Sequence, residues 1–312
     1  MSASFVTPSL SRAQRVRREW TRNRSVYLML APVLAYFIVF HYVPMYGTII
    51  AFKDFNPASG IGGSEWVGLD WFRQFFSSLY FERVIVNTLL LNVYDVLLGF
   101  PAPILLALLM NELTSHRFRQ FVQTVTYLPH FISVVVVAGM LLDFLARDGV
   151  INNILAAFGA TPDAIMNNPG WFRSVYVGSE IWQSVGWGSI IYLAALAGIN
   201  PTLYEAARID GANRWQQMRH ITLPGLLPII ATLLILRLGQ LMSVGFEKVI
   251  LLYNPSTYET ADVISTYVYR HGILDANYSY AAAVGLFNSA LAMVLLVVAN
   301  KLSRRWSGNS IW

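Results

Sequence analysis

The sequence has no cysteine and few charges. Without thiols, a disulfide framework and a thiolate metal site are both excluded. Charged residues fill only 12% of the 312 positions and hydrophobic ones 55%, whereas a soluble domain is about 25% charged. Burying so much apolar surface in water needs a larger core than one chain of this length can build. The fitting solvent is a bilayer. None of the 21 glycines is followed by lysine, which removes the GxxxxGK[ST] phosphate loop. The histidines His41, His116, His130, His220 and His271 never take HExxH spacing, and no G-x-S-x-G elbow occurs. The carboxylates are too scattered for a glycosidase pair. His271 and Asp275 stand four apart in HGILD, a spacing that fits a solvated loop better than a catalytic pair. The net charge of +5 does not point to nucleic acid, because the arginines cluster at the ends of hydrophobic runs.

What is present is a series of apolar runs. A helix needs about 20 mostly apolar residues to cross a hydrocarbon core. Six segments qualify, near 26–52, 84–110, 121–144, 174–199, 226–246 and 280–300. The first is too long for a signal-peptide core and has no small-residue cleavage site after it, so it reads as an uncleaved span. With the basic leader inside, fourteen Lys and Arg lie on that side and seven outside, with Arg237 within the fifth span. This bias predicts an all-α, polytopic membrane protein with six transmembrane helices and both termini cytoplasmic. The expected organisation is a basic segment over 1–25, a six-span body over 26–303 with a polar loop at 200–224, and a tail over 304–312. The outer loops run to roughly 30 residues, longer than the usual connection of about 4–6. The first, EWVGLDWFRQFF, is dense in aromatics and suits an interfacial helix or a cover over the outer end of the bundle.

The loop at 200–224 is polar between two apolar runs. Asn200 suits a helix cap and Pro201 the first helical turn. Leu203, Ala206 and Ala207 give a small apolar face, and Gly211 permits a sharp turn. A second helical piece follows, with Ala212, Trp215, Met218 and Ile221 spaced by threes. Such a helix-turn-helix either rests on lipid headgroups or docks as a knob in a cleft of a cytoplasmic partner. The small side chains favour docking, since headgroups do not require close backbone approach.

The spacing Glu205-Ala206-Ala207, three residues, Gly211, nine residues, Ile221, one residue, Leu223-Pro224 resembles the EAA signature of membrane subunits of binding-protein-dependent ABC importers. Six spans with the signature between the fourth and fifth fit the same permease fold. YVPMYGTIIAFKDFNP, YLPHFIS, GWGSIIYLAALAGI and RRWSGNSIW are similar to its oligosaccharide and polysaccharide branch. The resemblance implies a permease in a bacterial plasma membrane that imports oligosaccharides, paired with a second, homologous permease. Two ATPase subunits would power it, and an extracytoplasmic solute-binding protein would deliver the sugar. ATP and Mg would sit on the ATPases, with no cofactor on this chain. Glu205, Ala206, Ala207 and Gly211 would carry the docking, with Asp210, Arg214 and Trp215 as further contacts. No large outer insertion like that of the maltose-type subunit is present.

Polar groups inside spans are the remaining candidates, because charges at that depth are costly and usually functional. Asp95 and Arg237 lie at similar depths below the outer surface. They either pair, or Arg237 faces the pathway and meets a sugar hydroxyl or carboxylate. Arg237, Gln240, Ser243 and Glu247 recur at spacings of 3, 3 and 4, predicting one polar helical face along the pathway. Trp182, Gln183 and Trp187 in the fourth span and Asn288 in the sixth are further pathway candidates, against interfacial anchoring for the tryptophans. The substrate would include uronate polymers if Arg237 faces the pathway; neutral oligosaccharides fit almost as well. Two rivals make other demands. A secondary transporter or channel needs repeats and several intramembrane charges. A membrane-embedded transferase needs His, Asp or Glu clustered at a span end.

Overall fold

The computed structural model describes residues 20–159, 161–242 and 244–307. The basic leader up to residue 19, Ser243 and the last five residues of the tail lie outside them.

Helix α1, Arg24–Phe52, is 29 residues long and apolar throughout, and none of its most apolar stretch is buried. It packs on the bundle mainly through its last turns, Tyr46–Phe52. Two short strands follow, β1 (Lys53–Asp54) and β2 (Glu65–Trp66), paired antiparallel. Helix α2 (Asp70–Phe76) then drops Phe75 into a buried aromatic cluster with Tyr267, Tyr280 and Phe287. The aromatic loop therefore covers the end of the bundle, while Trp66 and Phe76 stay exposed.

Helix α3, Phe81–Glu112, is a full span. A widened turn at Asp95–Gly99, followed by Pro101, interrupts it halfway; such turns open the backbone ladder and gather at functional sites. The third span differs from the single run expected over 121–144. It consists of α4 (His116–Phe131) and α5 (Val134–Phe144), bent at 98°. Pro129 and Ser133 produce the break: proline cannot continue the ladder, and the Ser133 hydroxyl accepts from the Val136 N–H to cap α5.

After α6 (Val150–Ala157) comes α7, Pro169–Ala197, a 29-residue helix that contacts α3, α4 and the fifth span. A Cβ on Gly186 would overlap the Thr126 carbonyl, so glycine is what lets α4 and α7 touch. Helix α8 (Pro201–Ile209) turns away from α7 by 69°. Helix α9, Arg214–Leu238, forms the fifth span and stops eight residues before the predicted end. Beyond it lie α10 (Phe246–Leu252), α11 (Ile264–Tyr269) and the last span, α12 (Tyr278–Ser307).

Three apolar clusters sit along the bundle. One, around Ala107, Tyr192, Leu196 and Leu226, lies beneath the 200–224 loop. The other two, around Phe172 and Val249 and around Phe75 and Ile264, lie toward the other end. There Asp262 is fully buried and accepts two hydrogen bonds from Arg270, at 2.6 and 3.3 Å. Burial opposes the Arg270 charge, but the Asp262 carboxylate more than offsets it and raises the guanidinium above its ordinary range.

Candidate functional site

The polar loop is built almost entirely from local signals. The Asn200 side chain accepts from the Thr202 N–H at 3.1 Å and opens α8, with Pro201 at its first position. At the other end Gly211 has φ +79. The Gly211 N–H donates to the Arg208 carbonyl at 3.1 Å and the Ala212 N–H to that of Ala207 at 2.8 Å. This is the paired helix stop that a left-handed residue permits, which is why glycine stands there. Asn213 then starts α9 with a reciprocal cap. Its side chain accepts from Gln216 N–H at 2.9 Å, and Gln216 accepts from Asn213 N–H at 2.8 Å.

Two contacts set the loop against the body. The Tyr204 hydroxyl meets that of Thr222 at 3.0 Å, joining α8 to α9. Arg214 reaches the far end of α3, 3.6 Å from the Glu112 carboxylate and 3.3 Å from its carbonyl. Between the loop and residues 111–114 lies a cavity of about 560 Å³ lined by Tyr204, Glu205, Arg208 and Arg214. Glu205, Ala206, Asp210 and Gly211 are exposed and Ala207 is half-buried. Ile209 is 86% exposed and Trp215 67%. Leu203 is 51% exposed as well, so the polar loop also presents large apolar side chains.

The second group of candidates is brought together in part. Arg237 in the last turn of α9 donates through Nε to Asp95 Oδ2 at 2.7 Å, and Nη2 contacts the same oxygen. The pair joins α9 to the widened turn of α3. Asp95 is buried, while the Arg237 side chain keeps 42% of its surface. Both residues border cavities of about 200 and 330 Å³. So Arg237 both pairs with Asp95 and stands at a cavity wall. Glu180, Ser184, Trp187 and Ile191 of α7 line the larger cavity at spacings of 4, 3 and 4, one face of the helix.

Among the described residues, the expected polar face does not continue along the fifth span. Helix α9 ends at Leu238, Gln240 sits in the turn beyond it, and Glu247 is exposed on α10. Ser243 lies outside the described residues. The helix stops at Gly239, where a Cβ would overlap the Leu296 side chain of α12. Gln240 still lines the larger cavity.

Gln183 supports the fold instead of the cavity wall. Its Nε2 donates to the Ile132 carbonyl at 2.9 Å, satisfying the break between α4 and α5. Trp187 stacks on His130, centroids 4.6 Å apart, and meets Phe131 edge-on. Trp182 is exposed and borders neither cavity. Asn288 lies in a different, apolar cavity of about 610 Å³, with Phe246 and Ser265. Its Nδ2 reaches the Met242 carbonyl at 3.5 Å, and its Oδ1 is enclosed without a partner.

One participant escaped the sequence reading, which counted Lys248 among outer-loop cations. Its side chain is only 4% exposed and bonds Glu180 at 3.0 Å and Gln183 at 3.5 Å. The signal was a lone lysine inside FEKVILL, a run too apolar for a solvated loop.

An apolar helical bundle with a polar loop at one end and a charged cavity within it fits a membrane transport subunit. The chain belongs to the binding-protein-dependent transport system inner membrane components, whose family model matches residues 99–308. It is 44% identical over 292 residues to the polygalacturonan/rhamnogalacturonan transport system permease protein YteP of Bacillus subtilis (strain 168), covering 93% of this chain and 91% of that one. It is 42% identical to protein LplB of the same organism, covering 93% and 92%. Among solved structures it is similar to a chain of a bacterial ABC transporter involved in the import of the acidic polysaccharide alginate. Identity there is 48% and TM-score 0.88, with 94% of this chain and 99% of that one covered. A second structure, of a bacterial alginate ABC transporter in complex with an alginate pentasaccharide-bound periplasmic protein, matches at 47% identity and TM-score 0.88, covering 95% and 100%. The protein is thus an ABC transport permease of the inner membrane and not an enzyme, and the secondary-transporter and transferase readings fall away.

Proposed function

We propose that this permease imports acidic oligosaccharides, fragments of uronate-rich polysaccharides, under the drive of two ATPase subunits that grip the 200–224 loop. The loop's geometry carries the coupling half of this reading. A locally rigid element with Ile209 and Trp215 exposed is shaped to fill a cleft. Glu205, Ala206, Ala207 and Gly211 would form the close contact, flanked by Asp210, Arg214 and Trp215. ATP and Mg bind the ATPases. Their closure moves α8, and with it α7 and α9, between inward- and outward-facing arrangements. The loop and both termini then face the cytoplasm.

A second permease would complete the pathway. The unburied face of α1 supports this, since a 29-residue apolar helix that touches its own bundle only near one end is free to lie across another chain. A solute-binding protein delivers the sugar from outside; the similar alginate transporter forms a complex with an alginate pentasaccharide-bound periplasmic protein. The acidic substrate class rests on the relatives, YteP and the alginate transporter, and on Arg237 at the cavity wall.

Co-purification tests the coupling half. An ATPase is expected to come down with the wild-type chain and to be lost on Glu205→Arg or Gly211→Trp; retention in both would overturn it. Uptake by the reconstituted transporter tests the substrate. Oligogalacturonate or oligoalginate should be taken up and neutral arabino- or galacto-oligosaccharides should not.

A further inference from the structure

The outer end of the bundle holds a cavity that none of the roles above uses. It measures about 460 Å³ and opens between the start of α3 and the segment leading into α12, with Tyr80, Arg83, Tyr258, Glu259, Arg270 and His271 among its walls. Helix α3 has 32 residues, about 48 Å of rise. Its far end, Glu112, bonds Arg214 of the polar loop. The cavity is therefore on the opposite side of the membrane from the loop.

Its two guanidiniums are in different states. Arg270 lies over the Tyr258 ring at 4.7 Å and is neutralised by the buried carboxylate of Asp262. Arg83 lies over the Tyr80 ring at 4.8 Å and has no carboxylate within ion-pair distance among the described residues. Its Nε is enclosed without a hydrogen-bond partner. Arg83 as a whole is half-buried; a partly buried guanidinium without a counter-charge is costly, and a planar carboxylate matches the fork of its two Nη atoms. The volume falls within the range of small-molecule sites, about 300–1,000 Å³. A carboxylate on a protein side chain would fill one corner of it; a sugar ring would also reach the phenol walls.

We infer that this cavity is an entry site for one uronate unit, its carboxylate on Arg83 and its ring against Tyr80 and Tyr258. The inference rests on the acidic-oligosaccharide reading and deepens it. The site would receive the leading end of the chain before it reaches Arg237.

The test uses the transporter assembled with its ATPases in lipid nanodiscs, without binding protein, and trigalacturonate as the probe. Wild type should bind it, and the fully methyl-esterified trimer at least tenfold more weakly. Arg83→Gln should weaken trigalacturonate binding about tenfold and narrow the preference over the ester, leaving only what Arg237 contributes. Arg83→Lys should restore part of it. Recovery of each variant with its ATPases verifies the fold. Equal binding by wild type and Arg83→Gln overturns the site, and so does no binding by wild type. If Arg83→Gln instead weakens docking of sugar-free binding protein, the carboxylate belongs to that protein and the sugar site is wrong. Uptake of trigalacturonate by the complete wild-type system is measured in parallel, so failure of the entry site is distinguishable from failure of the substrate class.

Discussion

The two ends of α9 are held by different kinds of force. At its start, the loop takes its shape from hydrogen bonds between residues two to five apart, Asn200 to Thr202, Gly211 to Arg208, Ala212 to Ala207 and Asn213 to Gln216, and its one long-range charge pair among the described residues, Arg214–Glu112, is exposed. Each hydrogen bond satisfies a backbone group that a helix end leaves open. At its other end, charge pairs join residues far apart in the chain. Arg237 bonds Asp95 across 142 positions and Lys248 bonds Glu180 across 68. The loop can therefore move as one piece without losing its shape. The charge pairs instead tie α9 to α3 and α10 to α7 and resist relative movement within each couple. A transporter that switches by moving helices needs both, a handle that does not deform and ties that break and reform.

Breaking the ties should cost most where the orphaned charge is deepest. Glu180→Ala leaves Lys248, 4% exposed, with only the Gln183 amide at 3.5 Å and the Tyr176 ring at 5.8 Å. The expected loss is about 3 kcal/mol of stability, read as a lowered thermal midpoint in detergent. Glu180→Ala with Lys248→Met should recover most of it, because no charge is left buried. No recovery in the double variant would mean that packing and not charge explains the loss.

Asp95→Ala orphans Arg237, which is 42% exposed and can reach water in its cavity. The same measurement should show about 1–2 kcal/mol, less than for Glu180. If Asp95→Ala proves the costlier, the cavity beside Arg237 is drier than its geometry implies. Transport separates the roles further. Arg237→Ala should raise the KM for acidic substrate, and an unchanged KM would leave Arg237 with pairing alone.

How much of this was legible beforehand follows the same division. Asn200 and Gly211 carry their meaning within a few residues, so the loop's outline could be drawn from its letters; the Asn213 cap, equally local, was passed over. The spans were legible as apolar runs, but their breaks were not. Pro129 and Ser133 lie inside a run that stays largely apolar through Val137, and a window average hides the bend. Gly239 failed as a signal for a similar reason. Nothing near it shows that Leu296 presses on that position, so the polar spacing continued on paper where the helix had ended. The Asp95–Arg237 pair could be posed as an alternative, since both were rare charges at one depth. Glu180–Lys248 could not, because Lys248 looked like a residue of the outer loop.

Gly211→Ala probes the loop's side of the comparison. A Cβ at φ +79 meets no neighbouring atom within 4 Å, so the cost is backbone strain alone, about 1 kcal/mol. That strain is local. It should loosen the helix stop and weaken ATPase retention several-fold, with little change in the thermal midpoint of the bundle.

The smallest effect tests whether the handle is one piece or two. The Tyr204–Thr222 hydroxyl contact is the side-chain hydrogen bond joining α8 to α9, and Thr222 is buried. Tyr204→Phe removes one partner. The Thr222 hydroxyl keeps only a long contact to the Gln217 carbonyl at 3.4 Å, so the loss is about 1 kcal/mol. If the two halves move as a unit, ATPase binding should be unchanged while uptake per ATP hydrolysed falls, because force on α8 no longer reaches α9 in full. Unchanged coupling would mean that the Gly211 turn alone transmits the motion and that the hydroxyl bridge only fills a buried polar requirement.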